Sequence, residues 1–152
     1  MLPEPEKIKS ELEEFFKKTN LEVEVEISLK DSTYFVNLKT EEPQILLGEE
    51  GSFLLQLQKF LKVFLRKKLK IEEEFHLDLD VGGYKAKKIE YLKELARTVA
   101  DEVALTKKAK VLKPMSAFER RVIHLELASR GDVLTESIGE EPNRKVVIKP
   151  YP

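Results

Sequence analysis

Apolar and polar positions along this chain follow two periods, and the points where one gives way to the other mark its elements. Over residues 3–18, Ile8, Leu12, Phe15 and Phe16 form one stripe and Glu and Lys cover the rest, which predicts an amphipathic helix ending at Thr19-Asn20. Leu21 to Leu29 alternates strictly, the mark of a half-buried strand. Its outward Glu22, Glu24 and Glu26 are expected to be a solvated face and not a metal site. Lys30-Asp31-Ser32 turns the chain, and Thr33 to Lys39 returns as a second strand with Tyr34, Val36 and Leu38 on one side. A helical turn over Pro43–Leu47 leads into Gly48-Glu49-Glu50-Gly51 and then a long helix. There Phe53, Leu54, Leu57, Phe60, Leu61, Phe64 and Leu65 keep helical spacing, and Arg66, Lys67 and Lys68 suit the negative end of the dipole. Phe75 to Val81 alternates as a third strand, with His76 expected on its surface.

Gly82-Gly83 then interrupts the pattern, and a long helix is expected from Tyr84 to about Lys107, its core side marked by Ile89, Leu92, Ala96, Val99 and Val103. Ala109 to Leu112 reads as a strand, Val133 to Ile138 and Arg144 to Lys149 as two more, with a turn at Gly131-Asp132. Between them lies the most informative run, Pro114 to His124. Pro114 disfavours helix just before itself, and Ser116 with Glu119 forms a capping box. Arg120 and His124 fall one turn apart on a single face of the helix that follows, while Phe118, Val122 and Leu125 fall opposite and are expected to pack inward.

Two readings of the Arg120/His124 pair stand side by side. A guanidinium is a fork of donors suited to phosphate, and an imidazole can donate to phosphate or stack on a base. Alternatively Arg120 pairs with a local carboxylate and His124 is a satisfied, partly buried side chain, which spacing alone favours. Lys85, Lys87 and Lys88 read either as a solvated face or as an extension of a phosphate-binding surface. Arg144 reads as a second phosphate contact or as a cation on an edge strand.

Composition sharpens this division. Of the 152 residues 41% are apolar, enough for a packed core, and 36% are charged with a net charge of −1. That near-neutrality conceals an asymmetry: residues 1–83 hold 12 Lys+Arg against 18 Asp+Glu, net −6, and residues 84–152 hold 15 against 10, net +5. Two domains, 1–82 and 83–152, with different partners are expected, the basic one being the likelier to meet phosphate. The absence of cysteine excludes disulfides and thiolate metal sites. No apolar run reaches membrane-spanning length and no signal peptide is visible, so a cytoplasmic protein is expected. The wealth of charge is compatible with heat adaptation.

The motifs also carry a resemblance. Arg120 and His124, followed by Thr135-Glu136-Ser137-Ile138-Gly139, Glu141-Pro142-Asn143-Arg144 and Val146-Val147-Ile148, resemble the R-three-H domain, a single-strand nucleic-acid-binding module. The order helix, two strands, helical turn, Gly-x-x-Gly, helix, strand resembles a KH domain of the bacterial topology. A KH domain followed by an R-three-H domain is similar to the Jag family, cytoplasmic bacterial RNA-binding proteins linked to cell elongation and sporulation; Asp80 with Tyr84 and the run Leu92 to Ala96 match the stretch between its domains. The resemblance implies an α+β fold of two small domains. The first is a type II KH domain (α-β-β-α-α-β), and the second is a small sheet packed on helices. It further implies single-stranded RNA, or single-stranded DNA, bound by Arg120, His124, Arg121, Arg144, Lys85, Lys87 and Lys88. Family members generally carry a further N-terminal domain, so this chain is expected to be a shortened relative or a piece of one.

One feature departs from the KH pattern. Glu49 and Glu50 occupy the loop positions that are usually polar or basic. Like charges 4 Å apart repel by about 1 kcal/mol in water and by several times more at a protein surface. The loop is therefore expected not to grip RNA in the usual way, and the alternative is a protein-interaction face that forms a homodimer or pairs with a small KH protein. With no nucleophile elbow, Walker loop or paired His ligands, neither an enzyme nor a cofactor is expected.

Overall fold

The computed structural model describes residues 1–152, and the chain divides into two compact units, Met1–Lys85 and Ala86–Pro152. Each has its own apolar core, as expected where two short hydrophobic patterns are separated by a glycine pair.

In the first unit, helix α1 (Pro5–Lys18) precedes the hairpin β1 (Glu24–Lys30) and β2 (Thr33–Lys39). The two residues between the strands, Asp31 and Ser32, both have positive φ (50° and 61°), the conformation that lets a two-residue turn follow the strand twist. The short helix α2 (Pro43–Leu47) and a single 3-10 turn at Glu49–Gly51 lead into α3 (Ser52–Lys68), which returns the chain to β3 (His76–Val81). The sheet order is β1-β2-β3, antiparallel between β1 and β2 (Ile27 opposite Val36) and parallel between β2 and β3 (Val36 opposite Leu79). Ile8, Leu12 and Phe16 of α1 and Leu54, Leu57, Leu61 and Leu65 of α3 close over Val25, Tyr34, Val36, Leu38, Leu77 and Leu79 of the sheet. Two polar groups are satisfied inside this packing. The Tyr34 hydroxyl donates to the Pro3 carbonyl at 2.5 Å, and Gln58 Oε1 accepts from the outer-edge amide of Leu79 at 2.9 Å. This is the α-β-β-α-α-β order expected from the pattern. Phe53 and Phe60 are 45% and 53% exposed. α3 is apolar on two faces, and only the one bearing Leu54, Leu57, Leu61 and Leu65 meets the sheet.

Helix α4 (Tyr84–Thr106) starts as the first unit ends and supplies the longest element of the second. Asp80 anchors its first turn: its carboxylate accepts from the amide of Lys85 at 3.2 Å, supplying the negative charge that a helix N-terminus favours. The second unit continues with β4 (Lys110–Val111), α5 (Ala117–Leu127), β5 (Val133–Ile138) and β6 (Lys145–Pro150). β6 is the central strand, antiparallel to both β4 and β5. Leu92, Ala96, Val99, Ala100 and Val103 of α4 and Ile123 and Leu127 of α5 pack on Val133, Val146 and Ile148. The molecule is thus α+β, with small sheets packed on helices. No helix is long and apolar enough to cross a membrane.

Candidate nucleic-acid interface

The start of α5 is built as its sequence dictates. Ser116 Oγ accepts from the Glu119 amide at 3.2 Å, and Glu119 Oε1 accepts from the Ser116 amide at 3.1 Å. Two of the orphan donors of the first turn are satisfied by side chains, which fixes where the helix begins.

The orientation of α5 corrects the sequence expectation. Phe118 and Leu125, expected inside, are 62% and 64% exposed, and Val122 is half-buried. Ile123, Leu127 and Arg120 turn to the core instead. Arg120 is only 8% exposed. Its guanidinium donates to the Met115 carbonyl at 2.7 Å, which closes the loop before the helix, and pairs with Glu141 at 3.0 Å, which ties the turn between β5 and β6 to the helix. A buried cation needs such partners, and the planar guanidinium can serve two at once.

His124 is half-buried one turn further on. Its Nδ1 lies 2.7 Å from Thr135 Oγ1 and its Nε2 2.7 Å from Ser137 Oγ. In the neutral ring one nitrogen donates and the other accepts, and a hydroxyl suits either role. Burial, and after it the nearby Arg120 guanidinium, hold the His124 imidazole below its usual pKa. Thr135 and Ser137 are alternate residues of β5, so both hydroxyls rise from the same strand face towards α5. These two residues, part of the matched run 135–139, are partners that helical spacing did not single out.

The other cations of the sequence-predicted set fall into two groups. Several are already engaged. The Arg144 guanidinium donates to the Gly139 carbonyl at 2.6 Å, Lys88 pairs with Glu119 at 3.6 Å, and in the first unit Lys85 pairs with Asp78 at 2.6 Å. Arg121 and Lys87 are exposed and make no ion pair. They are the members of the set with charge to offer directly, although pairs as exposed as Lys85–Asp78 exchange at little cost.

The Gly-x-x-Gly loop of the first unit is tightly specified. Gly48 (φ 70°) would place a Cβ 2.6 Å from Phe53 Cβ, and Gly51 (φ 79°) would place one 3.1 Å from the Tyr84 ring. Positive φ and close packing both demand glycine at each position. Between them Glu49 and Glu50 are exposed, and Glu50 itself takes a left-handed conformation (φ 53°).

With this geometry in hand, comparison with known proteins places the second unit first: residues 90–150 match the R-three-H domain family. The wider chain is similar to the protein named RNA-binding protein KhpB in several bacteria. It is 34% identical to that of Clostridium symbiosum over 139 residues, covering 90% of this chain and 62% of the relative. It is 32% identical to that of Bacillus subtilis over 129 residues, covering 84% and 60%. It is 35% identical to that of Lactiplantibacillus plantarum over 113 residues, covering 74% and 34%. The second unit is an R-three-H domain, and most of the chain is similar to these RNA-binding proteins KhpB. The chain spans about three fifths of the length of the first and second of them.

Proposed function

We propose that this protein is a non-catalytic, cytoplasmic single-stranded RNA-binding protein that acts mainly through its R-three-H domain, as a post-transcriptional regulator of cell elongation, division or sporulation. The observation that carries the reading is the match of residues 90–150 to a single-strand-binding family in a chain whose relatives are named RNA-binding proteins. The charge supports it: residues 86–152 hold 14 Lys+Arg against 10 Asp+Glu, and Arg121 and Lys87 are exposed without carboxylate partners. In this reading Arg121, Lys87, Lys88 and Arg144 meet phosphate. Arg120 and His124 act from behind them, holding α5 against β5 and the turn that follows it. The test is titration of a labelled single-stranded RNA over a series of salt concentrations. Each phosphate contact contributes about 0.7 to the logarithmic salt slope, so Arg121→Ala with Lys87→Ala should lower the slope by somewhat over one. An unchanged slope and affinity would count against the reading.

A second reading concerns the first unit, which we propose to be a KH domain serving as an interaction module. Phe53, Phe60 and Val63 are 45%, 53% and 56% exposed along the outward side of α3, and the Phe60 ring lies 5.9 Å from that of Phe15 on α1. Such a stripe suits a second KH chain, either another copy or a small KH protein. Light scattering on Phe60→Glu against wild type tests it, since a monomer in both cases at high concentration, with no KH partner bound, would remove the reading.

A further inference from the structure

Phosphate contacts leave open where the bases of a bound strand go. On the outward side of α5, Phe118 and Leu125 are 62% and 64% exposed and lie two turns apart, with Arg121 beside them at helical spacing. Next to Phe118 in the chain, Glu119 holds the ammonium of Lys88 at 3.6 Å, and that ammonium sits 5.7 Å from the centre of the Tyr91 ring. Tyr91 is itself 57% exposed. Two open aromatic rings therefore stand on α4 and α5, with Lys88 beside the Tyr91 ring and paired with Glu119, the residue that follows Phe118, and Arg121 one turn further along. The one carboxylate in the group, Glu119, is already engaged by the Ser116 amide and by Lys88.

A protein partner covering this stripe would have to bring carboxylates to Lys88 and Arg121, and free phosphate gains nothing from the rings. An unpaired nucleic-acid strand uses both: its bases stack on aromatic faces and its phosphates take the cations. We propose that Tyr91 and Phe118 are base-stacking platforms for single-stranded RNA, with Lys88 and Arg121 on the phosphates between them. This rests on the RNA-binding reading above and assigns its base contacts to the outward face of α5 and the start of α4.

The experiment uses the full chain, a labelled oligouridine and an abasic ribose-phosphate oligomer of the same length. Phe118→Ala and Tyr91→Ala should each weaken oligouridine binding by about fivefold or more. Both should leave the salt slope unchanged and leave binding of the abasic oligomer as it was. The chain has no tryptophan, so Phe118→Trp introduces a single indole, expected to preserve affinity and to be quenched as oligouridine saturates the protein. If wild type binds oligouridine but both alanine variants bind equally well, or the indole is not quenched at saturation, the stacking proposal is overturned and RNA binding stands. If wild type binds neither oligomer at low salt, both fall.

Discussion

Arg120 pairs with a local carboxylate and His124 is satisfied and half-buried, the reading that spacing alone favours, whereas the facing of the apolar residues around them is misjudged. Polar residues usually face water, and that rule sent Phe118 and Leu125 inward. The structure does the reverse because Arg120 has two partners waiting, the Met115 carbonyl and Glu141, and His124 has two hydroxyls. Truncating Arg120 would strand the Met115 carbonyl, while Glu141, 61% exposed at its side chain, keeps its water. Arg120→Ala should therefore cost about 1–3 kcal/mol of stability, seen as a lower denaturant midpoint, with the RNA salt slope nearly unmoved. A fall in the slope with no change in midpoint would make Arg120 a phosphate contact instead. His124 carries a pH dependence of known sign. Its folded pKa lies below the ordinary 6.5. As pH drops through that value the unfolded chain takes up a proton that the folded chain still refuses, so stability is whole above the window and declines within it. Denaturant midpoints should fall from pH about 7.5 to about 5, and His124→Gln should flatten that decline. Glu26, Glu74 and Glu136 are held below the usual Glu value and Asp132 below the usual Asp value, each chiefly by hydrogen bonds from neighbouring side chains, so their protonation falls below this window.

At the scale of elements, what was legible followed from local rules and what was not followed from tertiary choice. The start of α5 could be read from Pro114, Ser116 and Glu119 because a cap is satisfied within four residues. The facing of α5 could not, because the helix offers two apolar stripes, Phe118/Val122/Leu125 and Ile123/Leu127, and only packing against α4 and the sheet selects the second. α3 poses the same problem, and there too the structure buries one stripe and leaves the other open. The loop before α3 was legible for a different reason: Gly48 and Gly51 are required by backbone geometry, whatever binds there. That separates the shape of the loop from its charge. Glu49→Lys with Glu50→Lys should keep the fold, since Glu50 already tolerates its left-handed backbone and both side chains are in water. The double variant should raise affinity for single-stranded RNA severalfold at low salt and steepen the salt dependence. No gain in either would mean that this loop is closed to RNA for reasons other than its carboxylates.

For the molecule as a whole, the asymmetry of charge and the two separate cores make one argument. An acidic unit and a basic unit that each bury their own apolar residues can divide their tasks, and the RNA-binding reading places that task in the second. The division has a structural consequence at α4. Its first turn is anchored by Asp80, which belongs to the first unit, so a fragment cut at Ala86 would lose both that carboxylate and the first two residues of the helix. A fragment spanning residues 80–152 retains Asp80, α4, α5 and all of β4, β5 and β6. It should unfold cooperatively and bind single-stranded RNA with the salt slope of the full chain, because slope counts phosphate contacts and the contacts proposed here lie within it. Affinity at low salt should rise slightly, since the fragment sheds the acidic unit and its long-range repulsion of the strand, and the two proteins should converge as salt screens that repulsion. A folded fragment with a much shallower slope would move part of the binding surface into the first unit, and the assignment of function to the R-three-H domain alone would have to be given up.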